Sequence, residues 1–143
     1  MSLLAREWYL VGASYDPESG QVWVGQLPLV QYPHGDTTAS GAAGIDLAAV
    51  QGPEGRLAAW HDSDAPSAGH YNGKIDTPEV ASRSMSSAEQ AAFIEDAIAA
   101  DFGAETAARW DFAREMSGTR VVDVSGNGHD GETVNLPTRA MKG

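Results

Sequence analysis

The chain has 143 residues, no cysteine and a formal net charge of −11, with nine Lys plus Arg against twenty Asp plus Glu. That length suits a single domain burying roughly two thirds of its unfolded surface, and the acidic balance repels phosphate backbones and anionic membranes, which argues against nucleic acid or a membrane as partner. Disulfides, thiolate metal sites and a Cys nucleophile are excluded; no apolar run approaches the ~20 residues of a bilayer span and the start lacks a signal-peptide layout, so a cytoplasmic location is expected.

Trp8-Tyr9-Leu10-Val11-Gly12-Ala13-Ser14-Tyr15 is rich in aromatic and β-branched residues, and Asp16-Pro17-Glu18-Ser19-Gly20 supplies turn chemistry. A second strand resumes over Gln21 to Leu27, with Val22 and Val24 on one face and Trp23 on the other, so the first 27 residues predict a hairpin. Between Pro28 and Gly55 no period of 2 or 3.6 persists; residues 28–55 read as a long irregular loop with one short strand near Ile45 to Val50. Leu57 to Trp60 reads as a short strand, followed by the polar turn His61-Asp62-Ser63-Asp64-Ala65-Pro66-Ser67. Tyr71 to Ala81 predicts a further strand, which Pro78 confines to a sheet edge or a bulge.

Ser86-Ser87-Ala88-Glu89 is a capping box, because the Ser86 hydroxyl can accept from the third helical amide while Glu89 reaches back. It predicts a helix over 86–103 with an apolar stripe of Ala91, Ile94, Ala97, Ile98 and Phe102, ended by Gly103 in the left-handed conformation. Ala107 to Ala113 and Val121 to Val124 return to strand composition on either side of a turn at Ser117-Gly118. The whole reads as mainly β with one capping helix near 87–102. Trp8, Trp23, Trp110, Phe112 and the helix stripe are its expected core.

Few residues point to chemistry. Asp123-x-Ser125-Gly126-Asn127-Gly128-His129-Asp130 alternates oxygen groups with glycines as calcium loops do, yet it lacks a downstream bidentate Glu and flanking helices. Asp and Asn in Gly-rich turns ordinarily bond their own backbone, so a structural role is the stronger expectation, with calcium the alternative. Asp76 is read the same way, as the brace of a neighbouring loop. His34, His61, His70 and His129 share no ligand spacing, and His61-Asp62-Ser63-Asp64 does not converge on a substrate merely by adjacency. No Gly-x-Ser-x-Gly elbow marks a serine nucleophile. Trp8, Trp23, Trp60 and Trp110 could stack on sugar rings, but such residues more often fill a core.

Taken together, His70-Tyr71-Asn72-Gly73-Lys74-Ile75-Asp76, Arg109-Trp110-Asp111-Phe112 and Asp123-Val124-Ser125-Gly126-Asn127-Gly128 resemble the edge motifs of a laminin-G-like, concanavalin A-like jelly roll. Here the closing motif precedes the opening ones, so the antiparallel β-sandwich is expected to be permuted, partial, or a junction of two modules; the Trp110 strand and the Tyr9 to Tyr15 strand sharing one sheet or one core would favour permutation. With Trp8-Tyr9, Tyr15-Asp16-Pro17, Ala68-Gly69 before His70, and Asn135-x-Pro137-x-Arg139 added, the chain resembles the N-terminal half of the N,N-dimethylformamidase large subunit, most specifically over its last 75 or so residues.

That resemblance implies an amidohydrolase splitting N-substituted formamides, with a large subunit that carries a jelly roll before its catalytic domain and with a small helical subunit. It further implies iron held by two tyrosines and a carboxylate in that later domain, expected to lie beyond Gly143; none of the four tyrosines here stands in matching context. No catalytic, cofactor-binding or metal residue is therefore assigned. The expected role is a non-catalytic β-sandwich segment, residues 1–143, that packs against the catalytic domain or mediates subunit assembly, with self-association through exposed sheet edges as a further expectation. A carbohydrate-binding lectin-like module is the alternative.

Overall fold

The computed structural model describes residues 4, 7–30, 37–42, 55–59, 69–96, 98–135 and 137. Strands β1 (Tyr9–Asp16) and β2 (Gln21–Pro28) form the expected hairpin, in antiparallel register from Tyr9↔Pro28 to Asp16↔Gln21. The turn closes as its residues dictate: the Glu18 amide and the Ser19 hydroxyl donate to the Asp16 carboxylate, and Gly20, at φ 68°, donates its amide to the Asp16 carbonyl at 2.8 Å. Strand β3 (Thr37–Ala42) pairs antiparallel with β2 to give a three-stranded sheet of order β1-β2-β3. Over residues 37–42 this corrects the reading of an irregular loop. Thr-Thr-Ala-Ser-Gly-Ala carries too little apolar bulk to announce a strand, and only pairing with β2 makes it one. The short strand placed near Ile45 to Val50 lies outside the described residues.

A second antiparallel sheet has the order β4 (Glu79–Ala81), β5 (Thr106–Asp111), β6 (Arg120–Asp123) and β7 (Gly131–Glu132). β4 sits at the sheet edge, as Pro78 requires, but is far shorter than the strand expected over Tyr71 to Ala81. Thr77 stands at φ 45°, a left-handed conformation that no strand contains, and this breaks the run before Pro78. The strand expected over Leu57 to Trp60 is likewise absent at residues 57–59, where Ala58 has φ 63°; Trp60 lies outside the described residues.

By contact density the chain divides into two compact units, residues 1–45 with 80–107, and residues 46–79 with 108–143. In the first unit, helix α1 (Ser87–Asp96) opens on the capping box: the Glu89 amide donates to Ser86 Oγ at 3.3 Å, and the Ser86 amide and hydroxyl donate back to Glu89 Oε2 at 2.7 and 2.8 Å. The helix is shorter than the 86–103 expected. Its last turn holds Glu95 and Asp96 and no basic residue, which opposes the helix dipole, and the Ile98 amide folds back to the Ala92 carbonyl at 3.3 Å. Ala100 and Phe102 then run non-helically onto the core, and Gly103, at φ 52°, opens a 3-10 turn over Gly103–Glu105 instead of capping α1.

The core of this unit is Trp23, Leu27, Met85 and Phe93, flanked by Leu10, Ile94, Ala100 and Phe102. Trp23 and Leu27 lie on the inner face of β2 at period-2 spacing, while Val24 faces out at 44% exposure. The indole of Trp23 meets the ring of Phe93 edge to face, centroids 5.2 Å apart at 86°. Glycine makes this approach possible: Gly12 and Gly25 are register partners, and a methyl at Gly25 would come within 2.7 Å of Trp23 Cζ2 and 3.0 Å of Phe93 Cε1. The buried helix position is thus Phe93 with Ile94 beside it; Ala91 and Ile98 of the expected stripe are exposed. Trp8, also expected in the core, is 48% exposed, and Trp110 and Phe112 are only half-buried.

Candidate functional site

The best-defined polar constellation of the second unit is built on Asp123, the last residue of β6, which is 8% exposed. Its carboxylate closes the loop that follows. Oδ1 accepts from the Arg109 amide at 3.0 Å and the Ser125 amide at 2.9 Å; Oδ2 accepts from the Ser125 hydroxyl at 2.9 Å and the His129 amide at 2.9 Å. Four donors match the lone-pair capacity of one carboxylate. Burial works to raise the Asp123 pKa, but the Arg109 amide, the Ser125 hydroxyl and amide and the His129 amide outweigh it, and the group is held well below the usual carboxylate range.

Asp130 completes the bracket. Its Oδ1 accepts the Asp123 amide at 2.8 Å, and its Oδ2 receives Arg120 Nε at 3.0 Å and Nη2 at 2.6 Å; the Asp123 amide first, then Arg120, hold its pKa below the ordinary value. The loop between the two acids turns through Gly126 at φ 91° and Gly128 at φ 77°, backbone states that glycine adopts without penalty. Trp110 donates Nε1–H to the His129 carbonyl at 2.7 Å, and Arg109 grips Glu79 Oε2 through Nε and Nη2 at 3.0 and 2.6 Å. The sequence motif therefore marks a real constellation, and the arrangement is that of a self-bonded turn.

The remaining sequence candidates do not gather. His70 and His129 are both exposed, His34 and the cluster His61-Asp62-Ser63-Asp64 lie outside the described residues, and Asp76 accepts the Thr77 hydroxyl at 2.9 Å. Among the described residues no three of His, Cys, Asp or Glu are placed to hold a metal ion. The iron centre implied by the resemblance does not fit the described residues either. Tyr9 and Tyr15 are six residues apart on β1, roughly 20 Å along the strand, Tyr71 is the one described tyrosine of the other unit, and Tyr32 lies outside the described residues. No described helix is long and apolar enough to cross a membrane.

A second polar cluster, in the first unit, was not legible as such in the sequence. Arg83 pairs with both oxygens of Glu89 (Nη1 to Oε2 at 2.8 Å, Nη2 to Oε1 at 2.6 Å), donates Nε to Glu105 Oε2 at 2.6 Å, and lies 4.7 Å over the ring of Phe102. Arg83 first, and then the Ser86 amide and hydroxyl, depress the Glu89 pKa to about 2. The capping box reveals Glu89; nothing in the sequence reveals that Arg83 and Glu105 close on it.

With both clusters occupied by their own partners, relatives are the remaining source of meaning. Over 99% of its length the chain is similar to the N,N-dimethylformamidase beta subunit of Paracoccus aminophilus, at 30% identity. A second relative, the N,N-dimethylformamidase beta subunit of Alcaligenes sp, is 26% identical, again over 99% of this chain. The chain spans only 21% of the length of each relative, so about four fifths of either has no counterpart here. No family model matches the chain, and no solved structure does.

Proposed function

We propose that this chain is a non-catalytic β-sandwich segment, of laminin-G-like jelly-roll type, from the large subunit of an N,N-dimethylformamidase-like amidohydrolase, acting in the cytoplasm. Its role is to pack against the catalytic domain or to seat the small subunit, and it carries no cofactor of its own. One observation carries the reading: similarity to a named enzyme subunit covers 99% of this chain and 21% of that subunit. The state of the carboxylates supports it. A general base needs a free lone pair and a pKa near working pH, whereas Asp123, Asp130 and Glu89 are bonded within the fold and shifted downward.

The test is hydrolysis of N,N-dimethylformamide to formate and dimethylamine, assayed with the purified chain and with the full-length subunit that contains it, reconstituted with the small subunit. The expected outcome is turnover by the reconstituted enzyme alone. Turnover by the isolated chain would refute a scaffold role. A carbohydrate-binding module remains the second reading because the Trp8 ring is 48% exposed. Glycan-array binding that disappears in Trp8→Ala would favour it, and a blank array would remove it.

A further inference from the structure

Two Asn-Gly pairs occur in the described residues, Asn72-Gly73 and Asn127-Gly128, and the structure treats them very differently. We propose that Asn72 is a site of spontaneous covalent modification, and that the otherwise identical pair at Asn127 is protected by its loop. In the reaction the Gly73 backbone nitrogen attacks the Asn72 side-chain carbonyl carbon. A C–N bond forms, ammonia leaves, and a five-membered succinimide results. Water then opens that ring at either carbonyl to give aspartate or isoaspartate. No oxidant, reductant or enzyme is needed; the net change is amide plus water to carboxylate plus ammonium. Glycine on the C-terminal side favours the attack because it lacks the Cβ that would crowd the nitrogen and restrict the backbone rotation the ring requires.

What separates the two sites is freedom to reach that geometry. Both pairs are exposed and lie in no strand or helix, so the difference is one of bonding: neither the Asn72 side chain nor the Gly73 amide bonds to a described residue. The Tyr71 ring lies against Gly73, and the nearest hydrogen bond is one residue away, where the Tyr71 amide donates to the Ala58 carbonyl at 2.8 Å. The Asn127 pair is held on both sides. The Asn127 amide donates to Ser125 Oγ at 3.3 Å, the His129 amide to Asp123 Oδ2 at 2.9 Å, and the His129 carbonyl receives Trp110 Nε1 at 2.7 Å. To form a succinimide there, the loop has to open first, and the reaction is slowed by the rarity of that opening. Modification at Asn72 places a new carboxylate between Tyr71 and Gly73, in a chain already at −11. The isoaspartate product also lengthens the backbone by one carbon in the segment that leads to β4.

The inference stands apart from the enzyme reading and is tested on the full 143-residue chain. The chain is incubated in mildly alkaline buffer, natively and in concentrated urea, then digested and mapped by mass spectrometry for the amide-to-acid mass gain and the split aspartate and isoaspartate peaks. In the native chain Asn72 is expected to react faster than Asn127 by roughly tenfold or more, since reaction at Asn127 awaits local opening. In urea the two rates should converge. Asn72→Gln, an exposed change whose longer side chain disfavours ring closure, should abolish the native signal. Equal native rates at the two sites, an unreactive native Asn72 that reacts in urea, or persistence of the signal in Asn72→Gln would each overturn the proposal.

Discussion

The glycine pair under the aromatic core offers the sharpest test of how this fold is built. Trp23 and Gly25 are two residues apart on β2 and so share its inner face, and Gly12 stands opposite Gly25 on β1. The indole lies over the bare backbone of Gly25, and Phe93 of α1 comes down beside it. Replacing Gly25 by Ala puts a methyl 2.7 Å from Trp23 Cζ2, closer still to Cη2, and 3.0 Å from Phe93 Cε1. Since Trp23 and Phe93 are 7% and 3% exposed, neither ring has open space to move into. Overpacking of this kind costs about 1–3 kcal/mol, while Ala in place of Gly in a strand returns about 0.5–1 kcal/mol of backbone entropy. The net expectation is a loss of about 1–2 kcal/mol, a downward shift of about 1 M in the urea midpoint at a typical slope for a small protein.

The mechanism makes a second demand. In a Trp23→Leu background the offending ring atoms are gone, so Gly25→Ala should become neutral or mildly stabilising, with a coupling of about 1–2 kcal/mol between the two changes. Urea unfolding followed by far-UV circular dichroism on the four chains of this cycle measures it without relying on tryptophan fluorescence. Equal cost of Gly25→Ala in both backgrounds would refute the claim that the indole needs the glycine.

Three further outcomes follow from the polar clusters. Ser86→Ala removes the N-cap acceptor of α1 and should lower stability by about 1 kcal/mol, read as a lower urea midpoint, while Ser87→Ala should cost much less. Glu89 has a folded-state pKa of about 2, below its unfolded value, so its contribution is present above about pH 4.5 and is lost as the pH falls toward 2. Arg83→Met should move the Glu89 midpoint upward in an NMR titration, and an unmoved midpoint would count against the bidentate pair. Asp123 follows the same sign: its folded pKa is depressed, the unfolded chain binds the proton more readily, and stability drops as acid protonates the carboxylate. Asp123→Asn should therefore be less stable at neutral pH and lose less on acidification than the parent chain, by thermal melts at pH 7 and pH 3; a parallel loss would mean that the carboxylate charge does not matter.

Some elements could be read from the chain and others could not, for identifiable reasons. The hairpin is legible because alternation over Trp23, Val24 and the turn residues Asp16 to Gly20 are local signals, and β5 and β6 are legible from their β-branched and aromatic content. Capping identifies where α1 begins, but where it ends depends on acids at Glu95 and Asp96 and on Ala100 and Phe102 being drawn to the core, a tertiary effect. β3 exists through pairing with β2 and carries no pattern of its own. The strand expected from Tyr71 onward fails at Thr77, whose left-handed backbone no propensity forecasts. In the candidate site, Asp123, Ser125 and the glycines are visible as a motif, whereas the partners that make it a closed bracket, Arg109 and Arg120, are 14 and 10 residues from the acids they serve.

The arginines explain how so acidic a chain holds its shape. Arg83 ties Glu89 and Glu105, Arg109 ties Glu79, Arg114 ties Asp111, and Arg120 ties Glu115 and Asp130. Pairs this exposed contribute little stability singly; their effect is geometric, because each joins the end of one element to the turn or strand that follows or flanks it. Scarce positive charge is thus spent on internal alignment, and the surplus of carboxylates faces outward. Every described carboxyl whose pKa is displaced, Asp16, Glu89, Asp123 and Asp130, is displaced downward, by a hydroxyl, an arginine or backbone amides. Acid–base catalysis by a carboxylic acid at neutral pH calls for the opposite displacement. Carboxylates tied down to fix turns are what a segment needs if its task is to present a fixed surface to the rest of a larger subunit, which makes the scaffold reading and the electrostatics consistent with one another.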